Sequence, residues 1–283
     1  MRWLRFKYKN QEYWGSFDEN EIEIYTGSLF THLEPAGERV GLGNIELLPV
    51  ISPKRVLGIG LNYKEHIKEL GQEVPKEPLV FYKDPASVIT SGDIIYLPNE
   101  SEQVEYEGEI GVVILKNCYK VPEFVSLDYI AGYVCANDVT ARDLQKRDIQ
   151  WYRSKSFKSF CPIGNILDDN KIWKNRRLRT YRNGEVVQDS NTNDMLFNVP
   201  KLISYISNFI EMEAQDVILT GTPAGVGRLN DGDVIEVEIE GIGKLKNYVK
   251  ESEDKKFKEL KKDIFITKPL NVFVQKTSFT DKF

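Results

Sequence analysis

Histidine is nearly absent from this 283-residue chain: His32 and His66 are the only two, which excludes a multi-histidine metal site and confines imidazole chemistry to those positions. Cysteine is scarce as well. Cys118, Cys135 and Cys161 are odd in number and stand in no C-x-x-C spacing, so neither a disulfide framework nor a thiolate zinc site is indicated, and they read as reduced core thiols. No apolar run approaches the roughly 20 residues that a membrane-spanning helix needs. The opening Met1-Arg2-Trp3-Leu4-Arg5-Phe6 alternates like a strand rather than a signal peptide, so a cytoplasmic address is expected. Excess charge is missing too: 38 Lys plus Arg against 43 Asp plus Glu give a formal net charge of −5, which offers no bulk attraction to nucleic acid. What is present, 41% hydrophobic and 29% charged residues, fits a globular protein with a sizeable core.

Alternating stretches over 4–8, 12–17 and 21–25, parted by polar turns at Lys9-Asn10 and at 18–20, predict a small antiparallel β unit spanning 1–52. Ser52-Pro53 marks its seam with a larger unit over 53–250. In that unit 55–60 reads as a buried strand and 63–70 as a short helix ended by Gly71, with further strands over 79–83, 94–97, 105–115 and 130–136. A helix is expected to begin near Thr140-Ala141, a tight hairpin at Asn183-Gly184, and a helix carrying Leu202, Ile203, Ile206, Phe209 and Ile210 behind Asn198 and Pro200. Ile235, Val237 and Ile239 alternate with Glu236, Glu238 and Glu240, the pattern of a strand with one wet face. Residues 251–283 read as a charge-rich extension with an apolar end, either paired to a sheet edge or a partner subunit, or disordered.

Glu105, Glu107 and Glu109 alternate with Tyr106, Gly108 and Ile110. On one continuous strand the three carboxylates share a face and Ile110, Val112 and Ile114 the other, which predicts a half-buried strand. Like charges on a partly buried face repel and lose solvation, so they either take up protons or bind a cation. Hard oxygen ligands suit Mg²⁺, Mn²⁺ or Ca²⁺ better than zinc, and a solvated acidic edge is the simpler alternative.

His66 and Glu69 stand three apart on the predicted helix and so share a face. A carboxylate beside an imidazole orients it and raises its basicity, the arrangement of a general base acting on water; a casual surface pair is the alternative. Asp138 falls where a strand hands over to a helix, a place for a ligand or for a helix cap. Lys155 would offer a fixed cation to an anionic substrate, or is an ordinary surface lysine. The loop Gly221-Thr222-Pro223-Ala224-Gly225-Val226-Gly227 could bring backbone N–H groups and the Thr222 hydroxyl to a ligand, without the lysine and spacing of a P-loop.

The ordered set Gly60-Leu61-Asn62-Tyr63-Lys64-Glu65-His66, Phe81-Tyr82-Lys83, Tyr106-Glu107-Gly108-Glu109, Asn137-Asp138-Val139-Thr140-Ala141-Arg142-Asp143-Leu144-Gln145, Lys155-Ser156-Phe157 and the late glycine loop resembles the fumarylacetoacetate hydrolase family, in particular its acylpyruvase-like branch. The match runs roughly over 53–249. It implies a mainly β fold with a rolled, barrel-like catalytic sheet beside the small N-terminal β unit, and a homodimer. It also implies Mg²⁺ or Mn²⁺ held by Glu107, Glu109 and Asp138, with Glu105 a neighbour and not a ligand. His66 and Glu69 become a water-activating dyad on a lid segment, and Lys155 a substrate-holding cation, with Arg142, Gln145 and Thr222 beside it. In many relatives the position of Lys158 carries an Asp.

The implied reaction is C–C hydrolysis of acylpyruvate-type 2,4-dioxo acids, in which His66 deprotonates a water that attacks the distal carbonyl. Oxaloacetate decarboxylation, or isomerisation or dehydration of a 2-oxo acid, is the alternative on the same site, and a metal-retaining small-molecule binder the alternative outside catalysis. A small 2-oxo acid is thus the expected partner, with neither nucleic acid nor membrane.

Overall fold

The computed structural model describes residues 1–18 and 21–252, so Glu19 and Asn20 of the turn expected at 18–20 and nearly all of the extension over 251–283 lie outside the described residues. Alternating and β-branched segments dominate, and the described chain is mainly strand with a few short helices. None of its helices is long and apolar enough to cross a membrane.

The N-terminal strands Arg2–Tyr8, Gln11–Asp18, Glu21–Ser28 and His32–Gly41 run antiparallel in sequence order. Lys9 and Asn10 both take positive φ (48° and 65°), as a two-residue hairpin turn requires. The fourth strand was not expected from the sequence, because most of His32–Gly41 is exposed and shows no apolar alternation. Leu4, Phe6, Ile22, Ile24 and Val40 give these strands a cluster of their own. They nevertheless continue the main sheet, since Arg2 and Trp3 pair with Asp168 and Leu167.

Among the described residues thirteen strands make up that sheet. At its centre Gly108–Ile114 lies antiparallel to Ile130–Asn137 on one side and to Val217–Leu219 on the other. Val217–Leu219 then pairs in parallel with Val56–Gly60, which pairs antiparallel with Leu79–Lys83. A five-stranded sheet, ordered Glu185–Asn191, Arg177–Arg182, Val234–Ile239, Gly243–Glu251, Ile94–Leu97, covers the same core. Ile110, Val112 and Ile114 pack with Leu202, Ile203 and Ile206 of the helix Val199–Ser207 and with Leu178, Val237 and Leu245 of the second sheet. Val113 faces the opposite cluster with Val134 and Leu219. Both faces of Gly108–Ile114 are therefore covered and all seven residues are buried, which corrects the half-buried expectation. The sheets roll around this core without closing.

The acidic row is also not one strand. Val104–Tyr106 belongs to a separate three-stranded sheet with Thr140–Ala141 and Gly227–Arg228, and the chain breaks at Glu107 before entering the main sheet. The helix expected through Ile210 stops at Ser207, leaving Phe209 and Ile210 beyond it, while other local readings match the elements. The helix Lys64–Glu69 ends at Gly71 with φ 63°, and Asn183 and Gly184 (φ 53° and 84°) turn the hairpin between Arg177–Arg182 and Glu185–Asn191. Glu236 and Glu238 remain half-buried on the wet face of Val234–Ile239, beside Lys244, Lys246 and Tyr181. The three cysteines are buried free thiols, and burial pushes the Cys118 thiol up to about 11.

Candidate active site

Where the chain passes at Glu107 from the three-stranded sheet into the main sheet, Glu107, Glu109 and Asp138 each bring a carboxylate oxygen to within 4.8 Å of the others, and all three are buried. Local backbone bonds fix this convergence: Asn137 Oδ1 accepts from the Glu107 N–H at 2.9 Å, and the Asp138 N–H donates to the Glu107 carbonyl at 2.8 Å. Asp138 is not a helix cap. The following helix is Arg142–Arg147, its N-cap position is Ala141 with no side-chain cap bond, and Thr140 lies in a strand.

Three cations neutralise the cluster. Lys155 Nζ donates to Glu107 Oε2 at 2.9 Å and to Asp138 Oδ2 at 2.5 Å, while Lys83 Nζ donates to Asp138 Oδ1 at 2.6 Å. Arg142 spreads its fork over Glu105 (2.7 Å), Glu107 and Gln145 (2.6 Å). Glu105 is thus an ion-pair partner of Arg142, set apart from the trio. Burial alone would push Glu107 up, but Lys155 and then Arg142 outweigh it and hold its carboxyl well below the usual range. Glu109 has no cation at hydrogen-bond distance among the described residues and accepts the Gly221 N–H at 2.7 Å. Burial first, then Asp138 and Glu107, push its carboxyl well above the usual range. Burial would lower Lys155, yet Asp138 and Glu107 more than offset this and raise it, so its ammonium stays charged.

The donor set fits a divalent cation. Metal–oxygen bonds of about 2.0–2.6 Å place ligand atoms up to roughly 5 Å apart, and three hard carboxylates suit Mg²⁺ or Mn²⁺. Lys155 Nζ lies between two of the three and shows that the pocket accommodates positive charge.

A cavity of about 250 Å³ opens beside the cluster, lined by polar groups of Glu107, Arg142, Gln145, Lys155, Thr222 and His66 and by apolar walls that include Phe81 and Trp151. His66 is buried, and its Nδ1 lies 3.0 Å from Glu69 Oε2. The other Glu69 oxygen accepts from the Gly225 N–H at 3.0 Å. The late glycine loop therefore braces Glu109 and Glu69 with its N–H groups instead of presenting those two to a ligand. The Thr222 hydroxyl is likewise engaged by protein, donating to the Gly108 carbonyl at 2.9 Å and accepting from Gln188 at 2.8 Å.

Two residues of the site escaped the sequence reading. Lys83 is fully buried and joins Asp138 to the carbonyls of Val139 and Lys155; a lysine ending a strand is ordinarily a surface residue, so only its place in the Phe81-Tyr82-Lys83 segment of the resemblance pointed to it. Gln188 reaches the site from the second sheet, and only its inward register behind the Asn183-Gly184 turn could have pointed to it. Gly108 admits no side chain. A Cβ there would sit 2.1 Å from Thr180 Oγ1 and 3.1 Å from Gln188 Oε1. Gly108→Ala is expected to cost about 1–3 kcal/mol of stability through overpacking, a loss readable as a lower midpoint in urea.

Residues 55–250 match the family described as fumarylacetoacetate (FAA) hydrolase C-terminal, and residues 1–49 match one described as Rv2993c-like, N-terminal. An uncharacterised protein of Archaeoglobus fulgidus is 45% identical over 244 residues, covering 86% of this chain and 94% of its own. Oxaloacetate tautomerase YisK of Bacillus subtilis is 40% identical over 215 residues, 71% of each chain. Among solved structures, 5-carboxymethyl-2-hydroxymuconate delta-isomerase from Mycobacterium smegmatis superposes with a TM-score of 0.83 at 33% identity, covering 89% of this chain and 100% of that one.

Proposed function

This chain belongs to the fumarylacetoacetate hydrolase family, and from that premise we propose that it is a divalent-metal enzyme interconverting the keto and enol forms of a small 2-oxo diacid of the oxaloacetate type. The observation that carries the reading is the buried Glu107, Glu109 and Asp138 trio beside a cavity that His66, Arg142 and Lys155 also line. Relatives named as a tautomerase and an isomerase favour proton transfer over the C–C hydrolysis suggested by the sequence. A cation on the three carboxylates would supply Lewis-acid polarisation of the 2-oxo carbonyl.

The chain's own groups do the rest. A cavity of about 250 Å³ suits a short diacid, and the Arg142 and Lys155 charges favour its carboxylates. In the tautomer that carries its proton on Nδ1, His66 donates to Glu69 Oε2 and keeps the Nε2 lone pair as the base. His66 Nε2 takes a proton from C3 of the keto form, the C–H electron pair forms the C2–C3 double bond as the C=O π pair moves to oxygen, that oxygen takes a proton from solvent, and His66 returns its proton to solvent, so the enol forms with no net proton change; the reverse steps restore the ketone. No attacking water is consumed. Phe81 and Trp151 wall the site and limit stray hydration.

Hydrolysis of acylpyruvates is the second reading, favoured by the same dyad, since an imidazole backed by a carboxylate also activates water. Ultraviolet absorbance of enol-oxaloacetate, run beside an acylpyruvate and an oxaloacetate decarboxylation assay, separates the possibilities. The expected result is tautomerisation that falls to background in EDTA and returns with Mg²⁺ or Mn²⁺, with slower cleavage of the acylpyruvate. Turnover indifferent to EDTA would sink the metal reading, and faster cleavage would reverse the order of the two reactions.

A further inference from the structure

Gln188 lies in Glu185–Asn191, directly across from Thr180 in the hairpin register, and is 1% exposed. Its Nε2 donates to Thr222 Oγ1 at 2.8 Å and to the Pro223 carbonyl at 2.9 Å, and its Oε1 accepts from the Gly108 N–H at 3.0 Å. The Thr222 hydroxyl donates onward to the Gly108 carbonyl at 2.9 Å, so Gly108, Gln188 and Thr222 form a closed ring of hydrogen bonds. The amide has one possible orientation here, because the Pro223 carbonyl can only accept and the Gly108 N–H can only donate. Gly108 is the single residue between Glu107 and Glu109, and it presses against Thr180 with no space for a side chain.

We propose that Gln188 is a positioning residue that sets the aim of the Glu107 and Glu109 carboxylates by locking the Gly108 backbone to the Thr222 loop. The inference rests on the metal reading of the proposed function. It assigns to the second sheet, which supplies none of the three carboxylates, a direct hold on the metal site. Loss of the Gln188 amide leaves the Gly108 N–H and the Pro223 carbonyl buried without these partners, loss of the Thr222 hydroxyl takes the donor from the Gly108 carbonyl, and in either case the backbone between the two glutamates must shift to find others. Groups that orient ligands from behind affect metal affinity by about 10–100-fold.

Mn²⁺ titration of the full chain, followed by the electron paramagnetic resonance of free Mn²⁺, tests this on wild type, Gln188→Met, Thr222→Val, the double variant and Thr222→Ser. Each variant is first shown folded by circular dichroism. Either single break should weaken Mn²⁺ by about tenfold. The double variant should be no weaker than the worse single one, because the ring is opened once, and Thr222→Ser should bind like wild type. A purely structural role would lower the melting temperature and leave the Mn²⁺ affinity of the folded protein unchanged. Folded Gln188→Met with wild-type affinity, or a double variant whose losses multiply, overturns the inference while leaving the metal reading intact. If Gln188→Met does not fold, Thr222→Val opens the same ring from its other side and is judged by the same criterion. A wild-type chain that takes up no Mn²⁺ overturns this inference and the metal reading together.

Discussion

Asp138→Ala should destabilise the metal-free protein by about 3–5 kcal/mol, the cost of leaving buried charge without its counter-ion. Two ammonium groups converge on this one carboxylate, and Lys83, fully buried, has no other acidic partner at ion-pair distance among the described residues. Glu109→Gln should behave oppositely. It removes no ion pair and can still accept the Gly221 N–H, so the loss should be about 1 kcal/mol, the centre of the range for point substitutions and well short of that for Asp138→Ala. Both variants should lose Mn²⁺ binding. Urea unfolding in EDTA, paired with Mn²⁺ titration, gives the two readouts independently. Equal destabilisation of the two would mean that Glu109 is held as an ionised, paired group, contrary to the charge distribution described above.

His66→Ala should reduce turnover by about 10²–10⁴-fold, the usual contribution of a positioned general base, with Mn²⁺ affinity left near wild type. The separation follows from geometry: His66 lines the cavity and its bonded neighbour is Glu69, not a member of the carboxylate trio. Glu69→Gln should also impair turnover, because the carboxylate serves two donors, His66 Nδ1–H and the Gly225 N–H, and an amide offers an acceptor to only one of them. Steady-state kinetics beside metal titration decide the matter. A fall in turnover that tracked lost metal would place His66 in the metal site and remove it as the proton carrier. If acylpyruvate cleavage is detectable, it should suffer more from His66→Ala than oxaloacetate decarboxylation, which needs no activated water.

Short-range pattern made much of this legible. The two-residue period through Glu107 and Glu109, the three-residue spacing of His66 and Glu69, and the Asn183-Gly184 turn each encode local geometry directly, and the folded chain brings one member of each of the first two pairs, Glu107 and His66, to one cavity with Arg142, Gln145, Lys155 and Thr222, while Glu109 and Asp138 join Glu107 in the carboxylate cluster beside it. What stayed hidden depends on contacts distant in sequence. Alternation cannot announce that the chain changes sheets at Glu107, because a break between two strands preserves the period on either side. Nor can it show that Gly108–Ile114 is covered on both faces, since the second covering layer comes from residues after Arg177. Lys83 and Gln188 look like surface residues until the partners that satisfy them, Asp138 and Gly108, are in place. The N-terminal strands form a cluster of their own yet join the main sheet through the pairing of Arg2 and Trp3 with Asp168 and Leu167, 165 or so positions away on a scale no local motif records.

The strand Val217–Leu219 separates Gly108–Ile114 from Val56–Gly60, although it is made long after both. Until it is made, neither of those two earlier strands has the partner that joins them in the folded sheet. At about 5–20 residues per second, the roughly 100 residues that follow Ile114 take on the order of 5–20 s to emerge. Gly221, whose N–H braces Glu109, arrives two residues behind the missing strand. The nascent chain thus passes through an interval in which the edges of Gly108–Ile114 and Val56–Gly60 lack their common partner and are open to other chains. Arrival of that partner and completion of the carboxylate site are nearly one event at the ribosome, and shortage of chaperone capacity should be felt first as loss of soluble protein rather than as soluble protein with a defective site.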